Sequence, residues 1–259
     1  MADEVAPGIW WLHGTRGSNV YAVETDDQRA VLIDSGFASS APAVLAELEG
    51  LDLRGRLDAI LLTHMHADHA GAANAIRRAT GARVVAGRGD CVHRDGALAL
   101  RPVTGRTHVG RLVLSRVAGK RETTPVDLAV EGETEVAPGI RAVPAPGHTP
   151  GSLCFVMGRC GAAFVGDLVI SHPGRLSRPM RLANHNDGEY EDSLQRFALI
   201  APGWGYPGHG DPVLGGFGET LRALAAQPRA RGAWLRRDRL GRIVRFTRRL
   251  LRERGPDQG

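Results

Sequence analysis

Short apolar runs, separated by turn residues and by amphipathic stretches, set the pattern of this chain. Gly8 to Val23 holds two β-rich pieces, and Ala30–Asp34 (AVLID) is a continuous apolar run that ends in an acid. Such runs, apolar at every position, predict strands buried on both faces. A helix is predicted next, with Ser39 or Ser40 as N-cap, Pro42 in the first turn and Gly50 as the stop. Ala59–Leu62 is a short apolar strand that runs straight into Thr63 and His64. Gly71–Thr80 reads as a helix closed by Gly81, and Arg83–Ala86 as the following strand. Residues 90–125 show no clear period, and Thr107–Val117 fits strand or helix equally. From Val126 the pattern is β again. Ile140–Val143 leads into the loop PGHTPG at 146–151, and Leu153–Met157 and Ala162–Val165 flank Gly158–Gly161 as a hairpin. Asp187 is the expected cap of a helix over Gly188–Leu199, Tyr206–Gly210 is a turn, and helical segments are predicted at 216–227 and 231–253.

Strands, a helix, more strands and more helices thus recur in two comparable halves. In each half a short apolar strand ends at metal-capable residues, LLTHMHADH in the first and AAFVGD in the second. An α/β architecture follows, with two sheets face to face and helices outside.

Composition changes this picture little. A chain of 259 residues, 42% apolar, can bury a large core without disulfides. Cys91, Cys154 and Cys160 are too few and too irregular for a disulfide framework, so reduced thiols are expected. Met1–Gly8 is acidic with no apolar core, so no signal peptide is expected, and no run approaches the ~20 apolar residues of a membrane span. A cytoplasmic location is the resulting expectation.

Charge is more informative. The formal net charge is +5, but eleven arginines lie from Arg229 onward against Asp238, Glu253 and Asp257. Removing them leaves 22 basic and 25 acidic residues in 1–228, a net of −3. The body is mildly acidic, which disfavours nucleic acid as a partner because phosphate backbones select basic surfaces. The expected division is a catalytic body at 1–228 and an Arg-rich helical extension at 229–259. Trp234, Leu235, Leu240, Ile243, Val244, Phe246, Leu250 and Leu251 recur there at roughly helical spacing. That pattern is read as a helix packed on the body with a charged outer face, ahead of contact with an anionic membrane surface.

The chemistry concentrates in His64-Met65-His66-Ala67-Asp68-His69. On an extended backbone His64 and His66 point the same way, while Asp68 and His69 on the next turn face a second point. Imidazole and carboxylate are the ligands that zinc and similar divalent ions accept. One cluster cannot close two sites, and His148 in PGHTPGS, Asp167 in FVGD and His209 in YPGHGD are the partners on offer. Thr63 and Asp34 are candidates for supporting hydrogen bonds, with simple turn chemistry the equal alternative for Asp34. His172 and His185 are read as exposed loop residues ahead of substrate contacts, and His13, His93 and His108 as structural or surface groups.

THMHADH at 63–69, PGHTPGS at 146–152, FVGD at 164–167 and YPGHGD at 206–211, in this order, resemble the metallo-β-lactamase superfamily. The resemblance spans residues from about 5 to about 215. It implies an αβ/βα four-layer sandwich with a dinuclear cleft at one edge. It implies that His64, His66 and His148 hold one metal, that Asp68, His69 and His209 hold the other, and that Asp167 bridges. Two zinc ions per chain are the implied cofactors, with iron or manganese as alternatives. Asp167 stands where the best-known β-lactamases have cysteine, which resembles the glyoxalase II and lactonase branches instead. A lactonase-like tyrosine soon after it is missing, since the tyrosines are Tyr21, Tyr190 and Tyr206, and no glutathione-binding pattern is found.

The expected reaction is hydrolysis of a small ester, thioester or lactone by water whose pKa the metals bring to near ~7. Asp68 and Asp167 are the expected catalytic carboxylates, orienting the nucleophile, with Asp68 passing a proton to the leaving group. An iron-dependent persulfide dioxygenase of the same fold is the alternative. A nuclease is disfavoured by the acidic body, and a non-catalytic binding protein by the full set of seven metal-capable positions.

Overall fold

The apolar runs are strands, and strand geometry sends successive side chains to opposite faces. In β4 (Ala30–Ile33), Ala30 and Leu32 join one core cluster while Val31 and Ile33 join another. β5 (Leu57–Leu61) divides its side chains the same way, with Ile60 on one side and Ala59 and Leu61 on the other. Both strands are therefore covered on both faces, which accounts for their uninterrupted hydrophobicity. The computed structural model describes residues 2–102, 123–158, 161–200 and 202–229.

Numbered in chain order, β1 (Asp3–Ala6), β2 (Ile9–Leu12), β3 (Val20–Glu24), β4, β5, β6 (Arg83–Gly87) and β9 (Leu128–Val130) form a seven-stranded sheet in that order. A second, six-stranded sheet runs β10 (Thr134–Ala137), β11 (Ile140–Pro144), β12 (Leu153–Met157), β13 (Ala162–Gly166), β16 (Trp204–Pro207) and β17 (Val213–Leu214). Two ribbons stand apart, β7 (Cys91–Arg94) with β8 (Ala97–Leu100), and β14 (Ile170–His172) with β15 (Arg175–Ser177). The helices are α1 (Ala41–Gly50), α2 (Ala67–Ala70), α3 (Ala73–Thr80), α4 (Asp187–Ile200) and α5 (Phe217–Ala226).

Three core clusters define four layers. Leu32 and Ile60 pack with Val44, Leu48 and Ile76 of α1 and α3. Between the sheets, Val31, Ile33 and Leu61 meet Phe155, Phe164 and Tyr206. On the far face, Cys154 and Val165 meet Leu194 and Phe197 of α4 and Leu221 of α5. These are the two face-to-face sheets with helices outside that the alternation of elements predicts, in the αβ/βα order that the resemblance implies. Backbone bonds tie the sheets at one edge: Leu153 N donates to Thr63 O (2.8 Å) and Asn19 N to Gly208 O (2.7 Å).

Several local expectations need correction. Ser40 precedes α1 but its hydroxyl does not cap the helix; its Oγ accepts from Arg16 N (2.8 Å) and donates to Arg16 O, drawing the Arg16 loop onto the helix start. The helix predicted at 71–80 is α3, and a separate single turn, α2, precedes it and carries Asp68 and His69. Gly81 closes α3 in the left-handed conformation as expected. Asn186, not Asp187, caps α4: its Oδ1 accepts from Gly188 N (2.9 Å) and Glu189 N (3.4 Å). The region from 90 holds the β7–β8 hairpin, turned at Asp95 and Gly96, both with positive φ. Thr107–Val117, His108, Cys160 and the helix predicted at 231–253 lie outside the described residues. Cys91 and Cys154 are free and buried. Among the described residues, no helix is long and apolar enough to cross a membrane.

Candidate metal centre

The seven candidate ligands lie beyond the C-terminal ends of strands, in the connecting loops or, for Asp68 and His69, on the short α2. His64, His66, Asp68 and His69 follow β5, His148 follows β11, Asp167 follows β13 and His209 follows β16. β4 and β5 run parallel, as do β13 and β16, so these loops collect at one edge of the sandwich.

The structure brings all seven residues together, in two groups. His64, His66, His148 and Asp167 form one, and Asp68, His69 and His209 the other. In the first, His66 Nδ1 lies 2.9 Å from His64 Nε2 and 3.1 Å from His148 Nε2. In the second, His209 Nε2 lies 3.4 Å from both His69 Nε2 and Asp68 Oδ2. Asp167 reaches both groups: Oδ2 is 3.3 Å from His148 Nε2, and Oδ1 is 3.4 Å from His69 Nε2 and 3.5 Å from His209 Nε2. Nitrogen donors ~2.0–2.1 Å from a tetrahedral cation stand about 3.3 Å apart, so the observed spacing fits a shared ion. Asp167 Oδ1 is buried with no hydrogen-bond partner among the described residues, an orphaned anionic atom that a cation would satisfy.

Hydrogen bonds behind the rings decide which nitrogens face inward. Asp34 Oδ2 accepts from Thr63 Oγ1 (2.8 Å) and from His69 Nδ1 (2.8 Å). With its proton committed to Asp34, Thr63 Oγ1 is left to accept from His64 Nδ1 (3.1 Å). Asn184 Oδ1 lies 3.0 Å from His148 Nδ1 and accepts from it. In His64 and His148 the Nδ1 proton is committed outward, leaving Nε2 bare toward the cluster; His69 gives its Nδ1 proton to Asp34, and its Nε2, which faces the carboxylates, becomes a donor atom when a cation displaces the second proton. Asp34 also accepts from Thr63 N (2.8 Å), so it orders the whole His64–His69 loop. It does so from φ 60°, a left-handed conformation that Asp tolerates at modest cost. Its role is therefore more than turn chemistry.

Burial, reinforced by the neighbouring imidazoles, holds His64 well below its ordinary pKa and pushes His66 down to about 3. Burial opposes charge on His69 and His209 as well, but there the carboxylates win. Asp34, Asp167 and Asp68 raise His69 well above its usual range, and Asp167 and Asp68 raise His209. Burial alone would raise Asp68 and Asp167; the adjoining imidazoles outweigh it and hold both below the ordinary carboxylate range. The cluster thus sets neutral His64 and His66 beside His69 and His209, on which the carboxylates stabilise a proton that a cation would displace.

Two supporting residues were missed from sequence. Asn184 is one. The other is Asp90, buried behind the centre, whose carboxylate accepts from Met65 N (2.9 Å), Thr149 Oγ1 (2.7 Å) and Gly151 N (2.8 Å). It fastens the His64–His69 loop to the loop of His148. Neither lies in a motif; the Asp95-Gly96 pair was the one local signal that this stretch is ordered. His185 stays outside the cluster, as does His172, which is exposed with Nε2 2.9 Å from Ser177 Oγ.

A family model described as the metallo-beta-lactamase superfamily matches residues 13–214. "Lactamase-like protein nscB" of Trichophyton rubrum is 29% identical over 206 residues, 79% of this chain and 51% of that protein. "Thioesterase pkgB" of Emericella nidulans is 29% identical over 213 residues, 80% of this chain and 49% of that protein. The chain spans about half the length of these curated relatives. A metallo-beta-lactamase family protein from Thermus thermophilus shares the fold, with a TM-score of 0.61 at 22% identity over 85% of this chain and 78% of that one. The matched span takes in all four motif loops and every residue gathered at the strand edge, and the chain belongs to the metallo-β-lactamase superfamily.

Proposed function

We propose that this chain is a metal-dependent hydrolase acting on a small ester-like substrate, with a thioester the first class to try. The observation that carries this reading is Asp167, whose two oxygens each face one of the two donor groups. On that basis His64, His66 and His148 would hold one divalent ion, Asp68, His69 and His209 would hold a second, and Asp167 would serve both groups. Zinc suits the set, which is nitrogen-rich with hard carboxylate oxygens. The thioester preference draws on the relative named a thioesterase and on an aspartate rather than a cysteine at 167.

When bound, such ions bring the pKa of water to near ~7 and polarise an acyl oxygen. The chain supplies the order. Asp34, Thr63 and Asn184 each engage the Nδ1 of one imidazole and so turn its Nε2 toward the cluster. Asp68, 18% exposed against 12% for Asp167, is the more open carboxylate, which supports a role for it in orienting a water against the substrate carbonyl and passing a proton to the leaving group. Asp167, deeper in the cleft, fixes the spacing of the two donor groups. The free thiols of Cys91 and Cys154 suit a reducing compartment such as the cytoplasm. Residues 229–259 are assigned as an extension of the 1–228 body.

Elemental analysis of chain purified without added metal, beside a His66→Ala variant, tests this reading. Expected are two zinc per chain, depleted in the variant, with thiol release from acyl thioesters lowered by about 100-fold or more. Iron with oxygen uptake on persulfide would reassign the chemistry to oxidation. Well-folded protein that takes up no metal would refute the reading.

A further inference from the structure

One line of hydrogen bonds leads from the cluster to the far end of the described chain. Asn184, which accepts from His148 Nδ1, is 1% exposed, and its Nδ2 donates to Asp187 Oδ1 (3.0 Å). The same Asp187 oxygen accepts from Arg229 Nη1 (3.1 Å). Arg229 is held from several sides: Nη1 also reaches Glu191 Oε1 (3.3 Å), Nη2 donates to Pro179 O (2.8 Å), and the guanidinium lies 5.0 Å from the centre of the Tyr190 ring. Arg178 pins the adjoining backbone, donating from Nη2 to Gln227 O (2.7 Å) and from Nε to Glu191 Oε2 (3.1 Å).

This arrangement has a direction. A carboxylate oxygen only accepts, so the Asn184 end that faces Asp187 must be the amino group. The carbonyl end then faces His148, so Nδ1 must carry the proton. Turned over, the amide would set Oδ1 against the Asp187 carboxylate at 3.0 Å and leave two acceptors in contact. Arg229 fixes the carboxylate that fixes the amide.

We propose that Asp187 and Arg229 are positioning residues for His148: acting through Asn184, they set its Nδ1–H tautomer and aim a bare Nε2 at the first donor group. The inference rests on His148 being a metal ligand. It ties Arg229, at the end of the described residues, to the loop of His148.

The test uses the full chain, 15N-labelled at histidine, stripped of metal and held at pH 8. Long-range proton–nitrogen correlation reads the His148 tautomer, assigned by the signal lost in His148→Gln. The unaltered chain shows the Nδ1–H form. Asp187→Asn, which offers Asn184 a donor as well as an acceptor, shifts the ring toward Nε2–H. Arg229→Met shifts it the same way, and Arg229→Lys restores it. Zinc affinity, read by competition with a chromophoric chelator, falls about tenfold in Asp187→Asn and Arg229→Met and recovers in Arg229→Lys. A merely structural role would leave the tautomer unmoved. An Nε2–H form in the unaltered chain, or an unchanged tautomer in Asp187→Asn, overturns the proposal. A changed tautomer with unchanged zinc affinity overturns its link to the metal. Should Asp187→Asn fail to fold, the Arg229→Met and Arg229→Lys pair carries the same comparison. A chain that takes up no zinc in any form refutes the ligand reading, and the tautomer then decides the relay by itself.

Discussion

His66 and His69 sit three residues apart, one at the start of α2 and one on it, yet their surroundings drive their charges in opposite directions. His66 is pushed down to about 3 and His64 well below its usual value by burial, while Asp34, Asp167 and Asp68 hold His69 protonated. The consequence is testable on metal-free protein. An unfolded histidine takes up a proton near ~6.5, whereas folded His66 refuses it down to about 3. Over that interval the unfolded state binds more protons, so stability is present above pH ~6.5 and is lost as pH falls. His69 and His209, with raised values, are protonated in both states over the same interval; their stabilisation is lost only as pH rises through their folded values. Urea midpoints of the metal-free chain are therefore expected to drop between pH 6.5 and 4.5. His66→Asn should recover on the order of 2 kcal/mol of that loss. An equally steep drop in the variant would show that His66 is not the group responsible.

At the scale of elements, the loop 146–151 depends on how closely it meets α4. Gly147 adopts φ 123°, and a Cβ there would overlap the backbone N of Tyr190, while Gly147 N donates to Thr149 O and Gly147 O accepts from Asn186 N. Gly147→Ala must therefore move either the loop or the helix start. A cost of about 2 kcal/mol or more is expected, with zinc uptake weakened, read by thermal melting with and without zinc. A variant with unchanged melting and zinc uptake would show that the loop has room to give. Much of this was legible in the sequence. AVLID, LLTHMHADH and AAFVGD carry their burial in their composition, and the metal-capable residues follow the strands directly. Asp90 and Asn184 were not legible, because what they bind is set by two loops distant in sequence. Ser40 misled for a related reason: a serine before a proline-led helix fits a cap, but the Arg16 backbone competes for the hydroxyl and wins. The β7–β8 hairpin carried a signal in Asp95-Gly96, but its flanking residues alternate too weakly to reveal strands.

For the whole molecule, the centre lies on the seam between two sheets. The first sheet supplies His64, His66, Asp68 and His69, and the second supplies His148, Asp167 and His209. Bound cations would cross-link the halves, and binding to the folded state alone contributes stability of about 2.7 kcal/mol at a hundredfold excess over Kd. Chelation is expected to lower Tm by several degrees and to speed amide exchange first in the loops at 63–69 and 146–151. Unchanged Tm after complete metal removal would separate the centre from the stability of the sandwich.

The same division has a meaning for biosynthesis. Neither donor group is complete within one half of the chain, because each draws on a residue from 148 onward. At ~5–20 residues per second, the interval between adding His64 and His209 to a growing chain is about 7 to 30 s. Throughout that interval the His64–His69 segment would offer a cation the ligands of one loop alone. A complete donor set would exist only once the second sheet has closed over the first, so full coordination would follow translation of the second half of the chain rather than accompany that of the first.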